Sequence, residues 1–256
     1  MNASRDPAGL SNQAERQARI DLAAGHRLAA RFGFNEGIDN HLTLLVPGYT
    51  DRFYLAPFGL LWSEVCASDL LELDFRGNVV AGRGLVEETA LYIHLSVHRL
   101  KPAARCVLHT HMPYATALAM LEDPTLEMAS QAALGFHEDV AYVDYHGLAL
   151  DYTEGERLAT ALGRRSVLVL RNHGVLVTAD SMAQGFERLY FFERACQAQL
   201  LALSTGRPLR QLPAPLVQAT AAQFAASERV GGLERTQLHF DALKRWLDRG
   251  DADYAR

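Results

Sequence analysis

The stretch Cys106-Val107-Leu108-His109-Thr110-His111 joins an uninterrupted apolar run to two histidines spaced two residues apart. A short apolar run of this kind is typical of a strand that is buried on both faces. Because side chains alternate across a strand, His109 and His111 share one face and lie a few ångströms apart. We therefore predict a buried strand that presents a pair of metal-ligating imidazoles.

A third histidine follows another apolar segment. Val167–Leu170 predicts a strand, and Arg171-Asn172-His173-Gly174 comes directly after it, with a glycine that permits a sharp turn or a close approach. Neutral imidazoles bind borderline-soft divalent ions, and three of them leave a coordination position open for water or substrate. We predict that His109, His111 and His173 hold a metal ion. The alternative is that Asn172 and His173 are turn residues that end a strand.

The bulk composition is that of a folded enzyme. The chain has 256 residues, of which 49% are hydrophobic and 21% charged, and this length suffices to bury a core without disulfides. Its net charge of -5, without basic runs, predicts neither nucleic-acid nor membrane partners. No apolar stretch approaches the ~18 residues of a membrane span, so we expect a cytoplasmic protein. The three cysteines lack metal-site spacing and are expected to be buried: Cys66, Cys106 and Cys196.

The pattern along the chain predicts an α/β domain over residues 13–207. Polar residues 1–12 predict a flexible tail, and residues 208–256 predict a linker followed by a C-terminal helical arm. Alternating apolar residues predict strands at 41–46, 53–56, 71–74, 78–81, 104–110, 140–144 and 166–171. Helical spacing predicts helices at 13–32, 87–100, 115–121, 154–162, 183–203, 216–226 and 233–247. This order favours a largely antiparallel central sheet flanked by helices.

A series of short motifs runs in order from about Gly33 to Gln199. They are Asn40-His41-Leu42-Thr43, Pro57-Phe58-Gly59-Leu60, Ser63-Glu64, Ala67-Ser68-Asp69-Leu70, Asp74, Gly77-Asn78, His94, His109-Thr110-His111, Asn172-His173-Gly174, and Leu189-Tyr190 through Glu193-Arg194-Ala195-Cys196. In this combination the chain resembles the class II aldolase and adducin family. The resemblance implies a three-layer domain, a homotetramer with sites near subunit interfaces, and a divalent ion on His109, His111 and His173. Zinc is the ion expected, with manganese and Fe(II) as alternatives.

The predicted substrate pocket departs from that family's pattern. Its sugar-phosphate aldolases bind phosphate through hydroxyl- and glycine-rich turns, whereas the corresponding places here are Asn40-His41-Leu42-Thr43, Ala56-Pro57-Phe58-Gly59 and Leu85-Val86. Most of the hydroxyls are missing, as is the glycine that lets backbone N–H groups converge on a dianion. We expect a small, non-phosphorylated hydroxy- or oxo-acid or carbonyl substrate. The expected contacts are Asn40, Thr43, Phe58 and Gly59.

Several acidic and aromatic side chains are candidates for the proton carrier. The aldolases that the chain resembles place a glutamate four residues before the equivalent of His94, where this sequence has Ala90. Glu87 and Glu88 come earlier, and an altered helix start would aim Glu88 at the metal; otherwise both are charges favoured at a helix N-terminus. Tyr145 lies in a segment that resembles the family's loop with a proton-donating tyrosine. We predict Glu88 and Tyr145 as catalytic residues. The alternatives are Glu87, Tyr142 and His94.

A metal ion with an open position predicts Lewis-acid chemistry. Chelation of a carbonyl and an adjacent hydroxyl or carboxylate lowers the cost of a developing enolate. Aldol or retro-aldol reaction, decarboxylation and dehydration all develop that charge, so we predict a metal-dependent lyase without choosing among them. Three histidines also hold Fe(II), and the apolar stretch 58–61 suits aromatic acids, which makes a non-haem oxygenase the first alternative. A non-catalytic binding module like the adducin head region is the second.

Overall fold

The computed structural model describes residues 7–227, 229–230 and 233–256. Its strands are β1 (His41–Leu45), β2 (Arg52–Leu55), β3 (Leu71–Asp74), β4 (Val79–Ala81), β5 (Cys106–Thr110), β6 (Val140–Val143), β7 (Val167–Leu170), β8 (Gly174–Ala179), β9 (Arg229–Val230) and β10 (Leu233–Glu234). Its helices are α1 (Pro7–Phe32), α2 (Glu88–Leu100), α3 (Pro113–Ala119), α4 (Gln131–Leu134), α5 (Tyr152–Leu162), α6 (Met182–Leu203), α7 (Ala214–Ala226) and α8 (Arg235–Leu247), with a 3₁₀ helix at Ala252–Ala255. Within the described ranges, none of the helices combines the length and the apolar character that crossing a bilayer requires.

Eight strands form the central sheet in the order β4-β3-β2-β1-β5-β8-β7-β6. Neighbours are antiparallel except β6 and β7, which are parallel, so the predicted largely antiparallel sheet is confirmed. β5 lies between β1 and β8, and all five of its residues are buried. Its register places His109 opposite both His41 and Leu176. The apolar run before His109 is therefore an interior strand whose position is fixed on both edges.

Helices cover both faces of the sheet and complete three layers. Alternate residues of β5 enter different cores: Cys106 and Leu108 pack with α1 and α6, whereas Val107 packs with α2 and α5. His109 follows Val107 by two residues, so it lies on the α2 side of the sheet. The predicted burial of the cysteines is confirmed for all three.

The boundaries differ from the predicted ones at both ends of the chain. Residues 1–6 of the predicted tail lie outside the described residues, and α1 already begins at Pro7, where a missing backbone N–H costs a first helical turn nothing. Near the other end, Phe240, Leu247 and Tyr254 are buried in the core that α1 and α6 form. The C-terminal helical segment thus packs on its own chain, and a domain boundary at residue 208 stays a prediction.

Candidate metal centre

Three imidazoles converge where β5 ends. His109 lies on β5, His111 directly follows that strand, and His173 lies in the turn between β7 and β8. One potential ligand atom from each ring lies within 4.8 Å of the others. The ring centroids are 4.7 to 5.1 Å apart. Small side-chain rotations would bring one nitrogen of each ring to within roughly 2.0–2.1 Å of a common zinc ion, the usual length of a zinc–nitrogen bond.

The turn from β7 to β8 brings His173 close to the strand. Asn172 adopts a φ of 57°, in the left-handed region that asparagine tolerates, and its N–H donates to the carbonyl of Ala119 at 3.0 Å. A Cβ atom on Gly174 would lie 2.6 Å from the carbonyl oxygen of Thr110 and 2.8 Å from Cδ2 of His111. Only glycine permits this close approach, which explains the His173-Gly174 pair.

We expect the substitution Gly174→Ala to disturb the histidine cluster and the sheet together. The new methyl group overlaps backbone on one side and the His111 ring on the other, so a loss of about 1–3 kcal/mol of stability is expected. Thermal unfolding and zinc titration would measure both effects. Gly135→Ala is the matched control, because its Cβ meets nothing closer than 3.5 Å. Unfolding and zinc binding like those of the unaltered protein would contradict the packing argument.

Hydrogen bonds fix the tautomers of two of the three rings. Nδ1 of His109 lies 3.0 Å from the carbonyl oxygen of Val175, and Nδ1 of His111 lies 2.5 Å from Oε2 of Glu36. Both oxygens accept, so each Nδ1 carries a proton, and in the neutral form of each ring Nε2 keeps a lone pair. A carboxylate on the far side of a ligating imidazole is a common support in zinc sites. Glu36 had no signal in the sequence, because this contact joins residues 75 positions apart.

The cluster fits a divalent ion. Nε2 of His111 is buried and has no hydrogen-bond partner, an arrangement that is costly unless another group binds the lone pair. Burial lowers the pKa of His173 to about 4, with nearby His111 as a further cause. Burial also lowers the pKa of His109 well below its usual value, helped by His173 and other neighbouring rings. His109 and His173 are therefore neutral at pH 7, which is the state that binds metals.

The two adjacent glutamates point different ways. Glu88, the predicted proton carrier, is exposed in the first turn of α2. Glu87 caps that helix through bonds from the N–H groups of Thr89 and Ala90, and this conformation places its Oε2 3.8 Å from Nε2 of His41. The cap therefore brings Glu87, and not Glu88, to the histidine side. The sequence predicts a helix from Glu87 and keeps Glu87 as an alternative proton carrier; in the structure Glu87 is the cap and α2 begins at Glu88.

The predicted substrate contacts fall into two groups. Asn40 and Phe58 line a cavity of about 20 Å³ next to His41, and Gly59 follows at an exposed position with a φ of 103°. Thr43 is fully buried, with its hydroxyl between His94 and His98. It does not reach the cavity, because it lies two residues further along β1, beneath α2. Thr43 thus supports neighbouring histidines and is not among the residues that line this cavity.

Of the two candidate tyrosines, Tyr145 and Tyr142, one lies near the histidine cluster and the other does not. The ring of Tyr145 is half exposed and its centroid lies 6.0 Å from that of His173. Tyr142 instead accepts a hydrogen bond from the N–H of Leu126, and burial raises the pKa of its phenol. Tyr145 is therefore the tyrosine that the fold brings to the cluster.

A hydrogen-bonded chain of buried side chains lies behind His109. The ring of His41 is 4.9 Å from that of His109, and its Nδ1 lies 2.7 Å from Nε2 of His94. Nδ1 of His94 is 2.6 Å from Oγ1 of Thr43, which is 2.9 Å from Nε2 of His98. Nδ1 of His98 lies 2.8 Å from the carbonyl oxygen of Ala104. Both ring nitrogens of His94 are thus engaged, so this ring supports His41 and has no free nitrogen for a substrate.

Buried neutral histidines should make the protein sensitive to mild acid. Burial lowers the pKa of both His26 and His98 from the ordinary 6.5 of a histidine to about 4. The unfolded chain takes up protons near pH 6.5 and the folded rings only near pH 4, so stability is complete above pH 6.5 and falls as the pH drops towards 4. Between pH 7.5 and pH 5, each ring should remove about 2 kcal/mol.

Urea unfolding at the two pH values would measure this loss. His26→Phe removes one of the rings whose pKa burial lowers, so the variant should lose about 2 kcal/mol less than the unaltered protein over the same interval. An identical pH dependence in both proteins would show that His26 does not remain neutral in the folded state.

Comparisons with known proteins agree with this architecture. The Class II Aldolase and Adducin N-terminal domain model matches residues 20–200. A Caulobacter vibrioides protein provisionally named as a class 2 aldolase is 35% identical over 250 residues, which cover 96% of this chain and 95% of that protein. Mouse alpha-adducin is 32% identical over 255 residues, which cover 93% of this chain but 34% of the adducin.

Solved structures show the same fold. A crystal structure of an aldolase II superfamily protein from Pseudomonas syringae superposes with a TM-score of 0.88 at 34% identity, covering 95% of this chain and 96% of the other. The L-fuculose 1-phosphate aldolase from Glaciozyma antarctica superposes with a TM-score of 0.83 at 22% identity, covering 100% of this chain and 97% of the other. The second similarity concerns the fold alone.

Proposed function

Because the chain belongs to the class II aldolase and adducin family, we propose that it is a divalent-metal-dependent lyase acting on a small, non-phosphorylated hydroxy- or oxo-acid or carbonyl compound. His109, His111 and His173 hold the ion, with zinc as the proposed metal. The observation that carries the proposal is the buried, unpartnered Nε2 of His111 beside two further imidazoles. When bound, the ion supplies Lewis-acid polarisation of a substrate carbonyl.

Two side chains of this protein are proposed to move protons. Glu87 lies on the histidine side of α2, partly buried and 3.8 Å from His41, so its carboxylate can take a proton from the carbon beside a substrate carbonyl. The phenol of Tyr145, near His173 and half exposed, can return a proton to a leaving oxygen. The two groups approach the cluster from different elements, which suits a reaction that needs one acid and one base.

The residues that line the 20 Å³ cavity favour a substrate whose group inside the cavity carries no charge. Phe58 and Leu60 make part of it apolar, and Glu87 adds a carboxylate. None of the described residues that line it is lysine or arginine. A phosphate dianion there would meet a like charge without a compensating cation, which is unfavourable in a partly buried site.

Proton exchange tests the proposal without knowledge of the second substrate. Zinc-loaded protein would be incubated in D₂O with dihydroxyacetone or pyruvate, and proton NMR would follow loss of the signals beside the carbonyl. We expect zinc-dependent exchange that His109→Ala abolishes, together with one zinc per chain by elemental analysis. A protein that binds no stoichiometric divalent ion and exchanges neither compound would contradict the proposal.

Two alternatives have particular support. The apolar side chains of Phe58 and Leu60 favour an Fe(II) oxygenase, which would contain iron and consume oxygen in the presence of an aromatic or hydroxy acid. The match to alpha-adducin across 93% of this chain favours a non-catalytic binding module, in which His109→Ala would leave the protein's binding properties unchanged. Metal analysis and anaerobic activity measurements separate both from a lyase.

We also propose a homotetramer with sites near its subunit interfaces. The segment 145–152 follows the strand β6 and exposes four large apolar side chains: Tyr145, Leu148, Leu150 and Tyr152. We take this exposed apolar segment as the proposed subunit contact, and Tyr145 joins it to the histidine cluster. Light scattering should give four times the chain mass of 28.3 kDa. A cytoplasmic location, without nucleic-acid or membrane partners, stays a prediction.

A further inference from the structure

The cavity lined by His41, whose ring centroid lies 4.9 Å from that of His109, is small and rich in hydrogen-bonding groups. Four polar side chains line it together with Phe58, Leu60 and Trp62; they are His26, Asn40, His41 and Glu87. Its volume of about 20 Å³ compares with the roughly 10–15 Å³ that one water molecule needs. The space therefore suits a single group of hydroxyl size. Which group binds there depends on which of the lining polar atoms donate hydrogen bonds and which accept them.

His26 contributes a hydrogen-bond acceptor. Its Nδ1 lies 2.9 Å from the carbonyl oxygen of Leu22, which can only accept, so Nδ1 carries the ring proton. Nε2 therefore keeps a lone pair. This nitrogen is buried and has no partner, and the whole residue is inaccessible to solvent. Leaving such an acceptor without a donor costs free energy that a ligand hydroxyl would recover.

His41 contributes a second acceptor. Its tautomer follows from the series of hydrogen-bonded side chains behind it. The carbonyl of Ala104 can only accept, so His98 carries its proton on Nδ1 and its Nε2 accepts the hydroxyl of Thr43. The next two bonds follow in the same direction: Nδ1–H of His94 donates to Thr43, and Nδ1–H of His41 donates to Nε2 of His94. With neutral rings, Nε2 of His41 is left as a lone pair near Oε2 of Glu87.

Asn40 contributes a donor. Its Oδ1 accepts the backbone N–H of His111 at 3.1 Å, which directs its amide nitrogen away from that contact. The amide Nδ2 is buried and has no partner. The cavity thus offers the lone pairs of two imidazoles and a carboxylate oxygen, together with one amide donor.

We propose that this cavity is a subsite for one uncharged hydroxyl group of the substrate. The hydroxyl donates to Nε2 of His41 or His26 and accepts from the amide of Asn40. The inference rests on the proposed function, because the remainder of the ligand lies at the histidine cluster, and it narrows the substrate to a polyhydroxylated acid or carbonyl compound. In such a substrate the hydroxyl that enters the cavity is on the carbon adjacent to the groups that chelate the metal. A phosphate dianion carries no proton to donate and would meet these lone pairs unfavourably.

A pair of hydroxy acids tests the subsite directly. Glycerate and lactate share the same carboxylate and 2-hydroxyl, but glycerate has a CH₂OH group where lactate has a methyl group. Calorimetry on zinc-loaded protein should show glycerate binding about tenfold more tightly, the effect of one hydrogen bond to an otherwise unpaired buried group. In His26→Phe, which removes the acceptor but keeps an aromatic ring, the ratio of the two affinities should fall towards one.

The tautomer of His41 is a second test that requires neither zinc nor turnover. Nitrogen-15 NMR of histidine-labelled protein should show His41, His94 and His98 protonated on Nδ1. Thr43→Val breaks the chain and should change the shifts of His94 and His41. Thr116→Val is the matched control, because it removes a buried hydroxyl that has no partner. A His41 protonated on Nε2 in the unaltered protein would overturn the acceptor assignment.

The two experiments separate failure of the subsite from failure of the proposed function. If neither acid binds the zinc-loaded protein, the histidine cluster is not a chelating site and the proposed function fails, while the NMR result still decides the tautomers. If both acids bind equally, the function stands and the hydroxyl subsite is refuted. Tighter binding of 3-phosphoglycerate than of glycerate also refutes it, because a dianion would then be preferred.

Discussion

Replacing His111 with alanine should lower the affinity of the protein for zinc by more than about 100-fold. That factor is the upper end of what loss of a residue supporting a ligand costs, and loss of a ligand itself should exceed it. His111 is the ring with the buried, unpartnered Nε2, so its removal leaves two imidazoles and an open side. Glu36→Gln should cost about 10- to 100-fold, because the ring remains but its carboxylate partner is neutralised.

Competition with a chromophoric chelator would measure these affinities. His137→Ala serves as the control, since that histidine lies in the remote cavity lined by residues of α4 and α6. We expect the largest loss of zinc affinity in His111→Ala, a smaller loss in Glu36→Gln, and no loss in the control. If Glu36→Gln weakened zinc binding more than His111→Ala, the assigned roles would be reversed and the site would have to be reconsidered.

Replacing Glu87 with glutamine should slow proton exchange by about 10²- to 10⁴-fold, the usual contribution of a general acid or base. The amide retains an oxygen for the N–H groups of Thr89 and Ala90, so α2 should lose no more than the roughly 0.5–2 kcal/mol that a cap contributes. Glu88→Gln is the matched control, because it makes the same change at the next residue, which faces solvent.

The exchange rate of dihydroxyacetone in D₂O, with zinc affinity measured on the same samples, distinguishes chemistry from metal loss. We expect Glu87→Gln to bind zinc as the unaltered protein does and to lose exchange. Loss of exchange in Glu88→Gln with full activity in Glu87→Gln would instead restore the assignment made from the sequence. Equal activity in both variants would mean that neither glutamate carries the proton.

The sequence predicted the family and the fold class correctly. The ordered motifs identified the class II aldolase and adducin family, and the family model and relatives confirm it. Most strands and helices of the main domain were predicted within a few residues, but the short helix α4 was missed, and β8 was missed because Gly174 reads as a turn residue. In the structure the strand begins at Gly174 itself, since only a residue without a side chain passes between Thr110 and His111.

What the sequence determined by itself is local. Alternation along a strand puts His109 and His111 on one face, and helical spacing gives the positions of α2 and α6, because both periods are set by the backbone within a few residues. Only the tertiary structure decided how distant residues meet. The register of β1 against β5 places His41 beside His109. The cap of α2 directs Glu87, and not Glu88, towards the histidines. These contacts depend on how separate elements pack, so no periodicity in the sequence records them, although they determine which groups surround the histidine cluster.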